Sequence, residues 1–307
     1  MSRPIVVPLD GSTFAEHALG RATAIARRKR SPLHLVMVVT PTIAPRFAEH
    51  MTEAEAARHE EARKAALAYL KEVAGRVSGE SGLSVSVDVH MGPIAEALDR
   101  HVTSNDAQLI VLTSHGRGAI QRAWLGSVTD GLVRRTPSPV MVIRPQDGDG
   151  APSSVAEDFR HVLIPLDGSV AARAILDPVV DLIGTENVAY TLVRVLVAPR
   201  PVPSTYLPHV ADQNRRLAEQ RQEAEELLAL RRGELEARGA TVNTRVVEHT
   251  SAAPAILDLS EELGADLVAM TTEGRGGVAR LLVGSVADKV IRGSEVPVLV
   301  TRREGED

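Results

Sequence analysis

The 307-residue chain contains no cysteine, which excludes disulfides, thiolate metal sites and cysteine nucleophiles together. Phe, Tyr and Trp make up 2% of it. That is too few for the stacking platforms that hold unpaired bases, so the core must come from Val, Leu, Ile and Ala. Neither charge dominates: 35 Lys and Arg stand against 40 Asp and Glu, for a net −5. Such a balance offers no electrostatic footprint for a phosphate backbone, and no nucleic-acid partner is expected. Long apolar runs are missing too; nothing approaches the roughly 18 residues of a membrane span. The opening segment, MSRPIVVPLDGS, is apolar for only a few residues before Asp10. It is too short for a signal peptide, and a cytoplasmic location with no membrane partner is expected. Catalytic words are absent as well. There is no GxxxxGK[ST] phosphate loop, the histidines show no HExxH or comparable ligand spacing, and Ser127 and Ser285 lack a GxSxG context. No catalytic residue and no metal-ligand set is expected.

What the chain does contain is one vocabulary used twice. Residues 4–12 read PIVVPLDGS and residues 161–169 read HVLIPLDGS. Segments 116–144 and 274–302 align without a gap, with 13 identical positions in 29. The offset is 157 at the Asp (167 − 10) and 158 at the Gly-Ser word (284 − 126). A repeat of that length makes two domains, each large enough for its own core. The expected division is 1–145 and 160–307, joined by a linker over 146–159, where PQDGDGAPSSVAED (145–158) is rich in Pro, Gly, Ser and Asp.

Each half alternates strand-like and helix-like segments. In the first, apolar runs predict strands at Ile5–Leu9, Leu33–Val39, Leu83–Val89, Leu109–Leu112 and Val140–Ile143. Between them lie a helix opened by the capping-box spacing of Thr13 and Glu16, a long one from Thr52 to about Val77, one from Pro93 to about Thr103, and one over Ser127–Arg135. The second half repeats the order. Strands are predicted at Val162–Leu166, Val188–Val197, Thr241–Val247, Leu267–Met270 and Val298–Val300, and helices near 170–183, within 212–238, over 252–263 and after Ser285. That β-α alternation argues for an α/β fold, two repeated doubly wound domains with a parallel sheet flanked by helices. The charge-dense long helices read first as solvated faces and, more sharply, as a partner surface.

Ligands of such sheets bind beyond the carboxyl ends of the strands. The repeated polar words fall there: Asp10-Gly11-Ser12 after the first strand, Thr113-Ser114-His115-Gly116-Arg117-Gly118 after the fourth, Gly126-Ser127 at the start of the last helix. Glycines admit close backbone approach, and helix-start amides attract phosphate oxygens. A carboxylate such as Asp10 or Asp167 repels phosphate, so its partner is a ribose hydroxyl, an adenine amino group or a bridging Mg²⁺. Taken by itself, each Gly-Ser word is equally a helix cap; the plainer reading of each Asp is a turn residue at a strand end.

Together these words resemble the universal stress protein family in tandem form. Its nucleotide signature G-x2-G-x9-G-[ST] is matched from Gly116 to Gly126-Ser127 and from Gly274 to Gly284-Ser285. The resemblance implies a five-stranded parallel sheet of order 3-2-1-4-5 in each domain and ATP, with Mg²⁺, as cofactor. It places adenine against Pro8, Leu9 and Asp10 with the Val38 backbone. The phosphates then lie against Thr113, Ser114, His115, Gly116, Arg117, Gly118 and Ala119, with Gly126, Ser127, Val128 and Thr129. In the second domain the implied positions are Pro165, Asp167 and Val195, then Thr271, Thr272, Gly274, Arg275, Gly276 and Gly277, with Gly284, Ser285, Val286 and Ala287. Two departures stand out: the signature's first glycine is Thr113 or Thr271, and Glu273 replaces His115. The first site is therefore expected to be the stronger. The implied function is an ATP-binding stress-response regulator, likewise a homodimer, whose state an unidentified protein partner reads. The alternatives are a signalling module of the same fold without nucleotide, and a slow ATPase or adenylyl-transferring enzyme.

Overall fold

The computed structural model describes residues 3–40, 52–114, 126–145, 158–197, 207–272 and 283–302, the side chains of 207–214 excepted. The chain divides into two compact units between Asp158 and Phe159. The first contains β1 (Ile5–Pro8), α1 (Thr13–Glu16), α2 (Ala18–Lys29), β2 (Leu33–Val39), α3 (Glu53–Ser81), β3 (Val85–Met91), α4 (Ile94–Ser104), β4 (Leu109–Thr113), α5 (Ser127–Arg135) and β5 (Val140–Ile143). Its strands lie in the order β3-β2-β1-β4-β5, all parallel. The second contains β6 (His161–Pro165), α6 (Val170–Arg173), α7 (Leu176–Ile183), β7 (Ala189–Val197), α8 (Leu207–Glu236), β8 (Thr241–His249), α9 (Ala252–Glu262), β9 (Leu267–Thr271), α10 (Ser285–Gly293) and β10 (Val298–Thr301). It repeats the order as β8-β7-β6-β9-β10, again parallel. Each unit is thus the expected 3-2-1-4-5 α/β sheet.

Burial explains why the strand runs are continuous rather than alternating. Ile5, Val6 and Val7 of β1 are fully buried, as are Val162, Leu163 and Ile164 of β6, because helices cover both faces of a parallel sheet. Each such side chain contributes about 1.5–3 kcal/mol relative to exposure. The outer strand β3 alternates instead: Ser86 and Asp88 are exposed, Val85 and Val87 half-buried. The capping box at Thr52 and Glu55 is present at the start of α3, and the helix runs on to Ser81, where Gly82 takes a left-handed φ of 71°.

One expected cap is corrected. Ser12, not Thr13, opens α1: its hydroxyl accepts from the Ala15 amide at 3.2 Å. The left-handed turn at Gly11 (φ 81°) delivers an extended Ser12 (φ −91°, ψ 147°), so Thr13 is already helical. The helix expected to continue from there breaks at His17, and the 170–183 helix breaks likewise between Arg173 and Leu176. The linker reading at 146–159 falls mostly outside the described residues.

The short first helix of each unit is tied to the long one by an ion pair, with the signs exchanged between units. In the first, Glu16, 7% exposed, accepts from the Tyr69 hydroxyl at 2.9 Å and from the Arg76 guanidinium. Burial and that carboxylate push the Tyr69 phenol well above its usual range. At the matching positions of the second unit, Arg173 of α6 pairs with Glu234 of α8 at 3.3 Å.

Candidate functional site

The strand order fixes where a ligand can enter. The chain leaves β1 toward β2 and β3 on one side and returns to β4 on the other, so β1 and β4 are neighbours, registered Ile5 to Leu109 and Val6 to Ile110. A crevice at the carboxyl ends of such a diverging pair is the usual ligand position in an open parallel sheet. The second unit has the same switch between β6 and β9.

At the end of β1, Pro8 closes the strand and Leu9, 4% exposed, donates its amide to the Val36 carbonyl at 2.8 Å. Asp10 follows. Its Oδ1 accepts from the Ser12 amide at 2.9 Å and the Ser12 hydroxyl at 2.5 Å, which orients the carboxylate on a tight turn. Asp167 is held alike, accepting from the Ser169 amide at 2.9 Å, while the Ser169 hydroxyl caps α6 by accepting from Ala172 at 3.0 Å. The Asp-Gly-Ser word is therefore a turn and a cap in both units. Its carboxylate is held in place whether or not a ligand uses it.

Thr113 and Ser114 end β4 at 7% and 2% exposure. The Ser114 amide donates to the Ile143 carbonyl at 2.8 Å, and the Ser114 carbonyl accepts from the Gly126 amide at 2.9 Å. The Thr129 hydroxyl donates to the Thr113 carbonyl at 3.3 Å. Strand end and helix start are thereby bonded to one another across a loop that is long in sequence. Both threonines that replace the signature's first glycine, Thr113 and Thr271, end regular strands, and neither has a positive φ. The backbone there suits a Cβ without strain.

The start of α5 corrects the capping reading of Ser127. Gly126 is the N-cap (φ −57°, ψ 144°), makes no side-chain cap bond, and Ser127 is the first helical residue. Ser127 is exposed, Val128 half-buried and Thr129 buried. The amides of these three precede the first intrahelical bond, Asp130 to Gly126 at 2.9 Å. They face outward at the positive end of the helix dipole, an arrangement that favours anions. The first-turn carboxylate that would oppose an anion, Asp130, is paired with Arg134 at 2.8 Å.

The second unit has the same frame with different side chains. Thr272 donates its amide to Thr301 at 3.0 Å, and its carbonyl accepts from Gly284 at 2.6 Å. Gly284 is again the uncapped N-cap before Ser285, Val286 and Ala287. Ala287 stands where Thr129 does and has no hydroxyl to return to the strand. Val38 and Val195 occupy matching places on β2 and β7, opposite His90 and Val247. One residue of interest was missed by sequence reasoning. Arg194 stands where the first unit has Met37, and its guanidinium donates to the Leu166 carbonyl at 3.3 Å, beside Asp167. The signal was a single Met-to-Arg difference between aligned strands. The expected site residues His115, Gly116, Arg117, Gly118 and Ala119, with Gly274, Arg275, Gly276 and Gly277, lie outside the described residues.

Comparisons with known proteins place this geometry. The profile of the universal stress protein family matches residues 1–144 and again 158–302. A universal stress protein of Mycobacterium tuberculosis is 31% identical over 313 aligned residues, covering 99% of this chain and 100% of its own length. One from Mycolicibacterium smegmatis is 29% identical and covers 97% of this chain and 96% of its own. Among solved structures, a universal stress protein from Archaeoglobus fulgidus superposes with a TM-score of 0.68 at 20% identity, over 100% of this chain and 98% of that one.

Proposed function

Because the chain belongs to the universal stress protein family, as a tandem of two of its domains, we propose that it is an ATP-binding regulatory protein of the stress response. Nucleotide sits at the carboxyl ends of the parallel strands, first of all in the first unit. The observation that carries this reading is the bond between Gly126 and Ser114. It sets a helix start bare of side-chain caps against the strand end next to Asp10.

Each group has a role suited to its chemistry. The amides of Ser127, Val128 and Thr129 take phosphate oxygens. The glycine-rich word that follows Ser114 in the sequence is assigned to the same phosphates. Asp10, held by Ser12, accepts from ribose hydroxyls or the adenine amino group. As a hard oxygen donor it also suits Mg²⁺ carried by the phosphates, which would neutralise their charge beside the carboxylate. The sequence carries no recognisable catalytic word near the switch point, and we read the output as a bound state recognised by a partner, not as turnover.

The first turns of α3, Glu53 to Ala65, hold no buried residue, and we assign the homodimer surface to them. No described helix is long and apolar enough to cross a membrane.

The two sites are unequal in this reading. In the second, Arg194 already reaches over the Leu166 carbonyl, where the base would approach Val195, and Glu273 adds a negative charge to the phosphate loop. Asp10→Ala is expected to weaken ATP binding at least tenfold by calorimetry, about 1.4 kcal/mol, and Asp167→Ala to change it by much less. If Asp167→Ala proves the more damaging substitution, the ranking of the sites is wrong.

A further inference from the structure

We propose that the first unit carries a site for a divalent transition metal of the zinc class, built from Asp88, His90 and His101 at the outer edge of its sheet. Asp88 and His90 alternate along β3 and so share one face. α4 follows β3 directly, turns back over that face and lays His101 against them. His90 Nε2 stands 2.8 Å from His101 Nδ1, and the nearer Asp88 oxygen 4.0 Å from the same nitrogen. The three ligand atoms all lie within 4.8 Å of one another. Ligand atoms around a tetrahedral zinc are about 3.3 Å apart, a value that the two observed separations bracket. Movements of the exposed Asp88 and half-buried His90 side chains close the shell, and solvent beside Asp88 supplies the fourth ligand.

A bare hydrogen-bonded imidazole pair accounts for less. His101 is 3% exposed, and its other ring nitrogen, Nε2, is buried with no partner. Whichever tautomer it adopts, one side of that ring goes unsatisfied. A metal at Nδ1 fixes the remaining proton on Nε2 as a donor. His34, whose ring centre lies 5.7 Å from that of His101, has an Nδ1 that is likewise buried without a partner, so a shift of either ring is needed before it accepts from Nε2. Two imidazoles with one carboxylate suit zinc, copper or nickel and suit magnesium poorly.

The repeat supplies an internal control. At the four matching positions the second unit has Thr191 for His34, Arg245 for Asp88, Val247 for His90 and Leu259 for His101. Leu259 is 5% exposed. The fold is therefore content with an apolar residue where the first unit buries an imidazole, and every member of the set is replaced together.

Calorimetric titration of the nucleotide-free full chain with Zn²⁺ at neutral pH tests this. One zinc per chain is expected, with micromolar or tighter affinity. His90→Val and His101→Leu, each the residue of the second unit, should weaken it at least tenfold, and Asp88→Asn less. Thermal unfolding reports whether each variant is folded. Should His101→Leu fail to fold, the more exposed His90 and Asp88 positions still decide the matter. A parent that takes up no stoichiometric zinc overturns the proposal. So does a His90→Val variant that binds as tightly as the parent, since the zinc would then sit on other histidines.

Discussion

Gly126→Asp is expected to lower ATP affinity at least a hundredfold while leaving the thermal midpoint unchanged or raised. Gly126 sits at φ −57°, ψ 144°, a backbone conformation open to any L-residue, so the substitution is unstrained. Asp is a preferred N-cap, and its carboxylate accepts from the second or third helical amide, here Val128 or Thr129; relative to Gly this stabilises by a few tenths of a kcal/mol. The same bond takes the amides assigned to phosphate, and it places a negative charge where the anion would sit. Two unit charges about 4 Å apart at an effective dielectric near 20 oppose one another by roughly 4 kcal/mol. Solvent and Mg²⁺ screen part of that, and a hundredfold loss needs only about 2.7 kcal/mol. Calorimetry with ATP and a thermal melt on the same preparation read both effects. A Gly126 that serves the helix alone would leave ATP affinity intact, with the midpoint unchanged or raised all the same.

The largest stability effect is expected at the ion pair between α1 and α3. Glu16→Arg should cost about 3 kcal/mol in the unfolding transition of the first unit. It removes the acceptor of both the Tyr69 hydroxyl and the Arg76 guanidinium, and it presses a second cation against Arg76. Breaking a fully buried pair costs 3–5 kcal/mol; here the Glu16 side chain is 9% exposed but that of Arg76 is 43% exposed, which sets the figure at the low end. Adding Arg76→Glu should recover more than half of the loss, because the double variant rebuilds the Arg173–Glu234 arrangement of the second unit. Urea unfolding of the four proteins forms the cycle that isolates the pair. Additive losses would show that the two side chains act separately.

The strands were legible because burial on both faces writes itself as short runs of Val, Ile and Leu, and the repeat allowed each run to be checked against its partner. Ser127–Arg135 and Val140–Ile143 match the structure at both ends, where Gly and Pro punctuate the chain. Helix starts were less legible. Thr13–Glu16 and Ser127–Asp130 both have cap-like spacing, yet the caps are Ser12 and Gly126, since the preceding turn decides which residue first becomes helical. The polar words at Asp10 and Thr113 lie at the carboxyl ends of β1 and β4 as read, because polar residues after apolar runs mark carboxyl termini in a parallel sheet. The Asp88, His90 and His101 cluster was not legible. Its residues look scattered in sequence, and only the pleat of β3 and the return of α4 bring them together. Arg194 was overlooked for a related reason: a single difference between aligned strands has no meaning until the neighbouring carbonyl is known.

The central claim is that the first unit's switch point holds adenine nucleotide. Mass spectrometry of what freshly purified chain releases on denaturation tests it most directly, followed by titration of the emptied protein with Mg·ATP. Recovery of adenine nucleotide, ATP foremost, and saturable rebinding are predicted. No nucleotide released, and no heat of binding up to millimolar ATP, would contradict the account and leave a signalling module of the same fold without nucleotide.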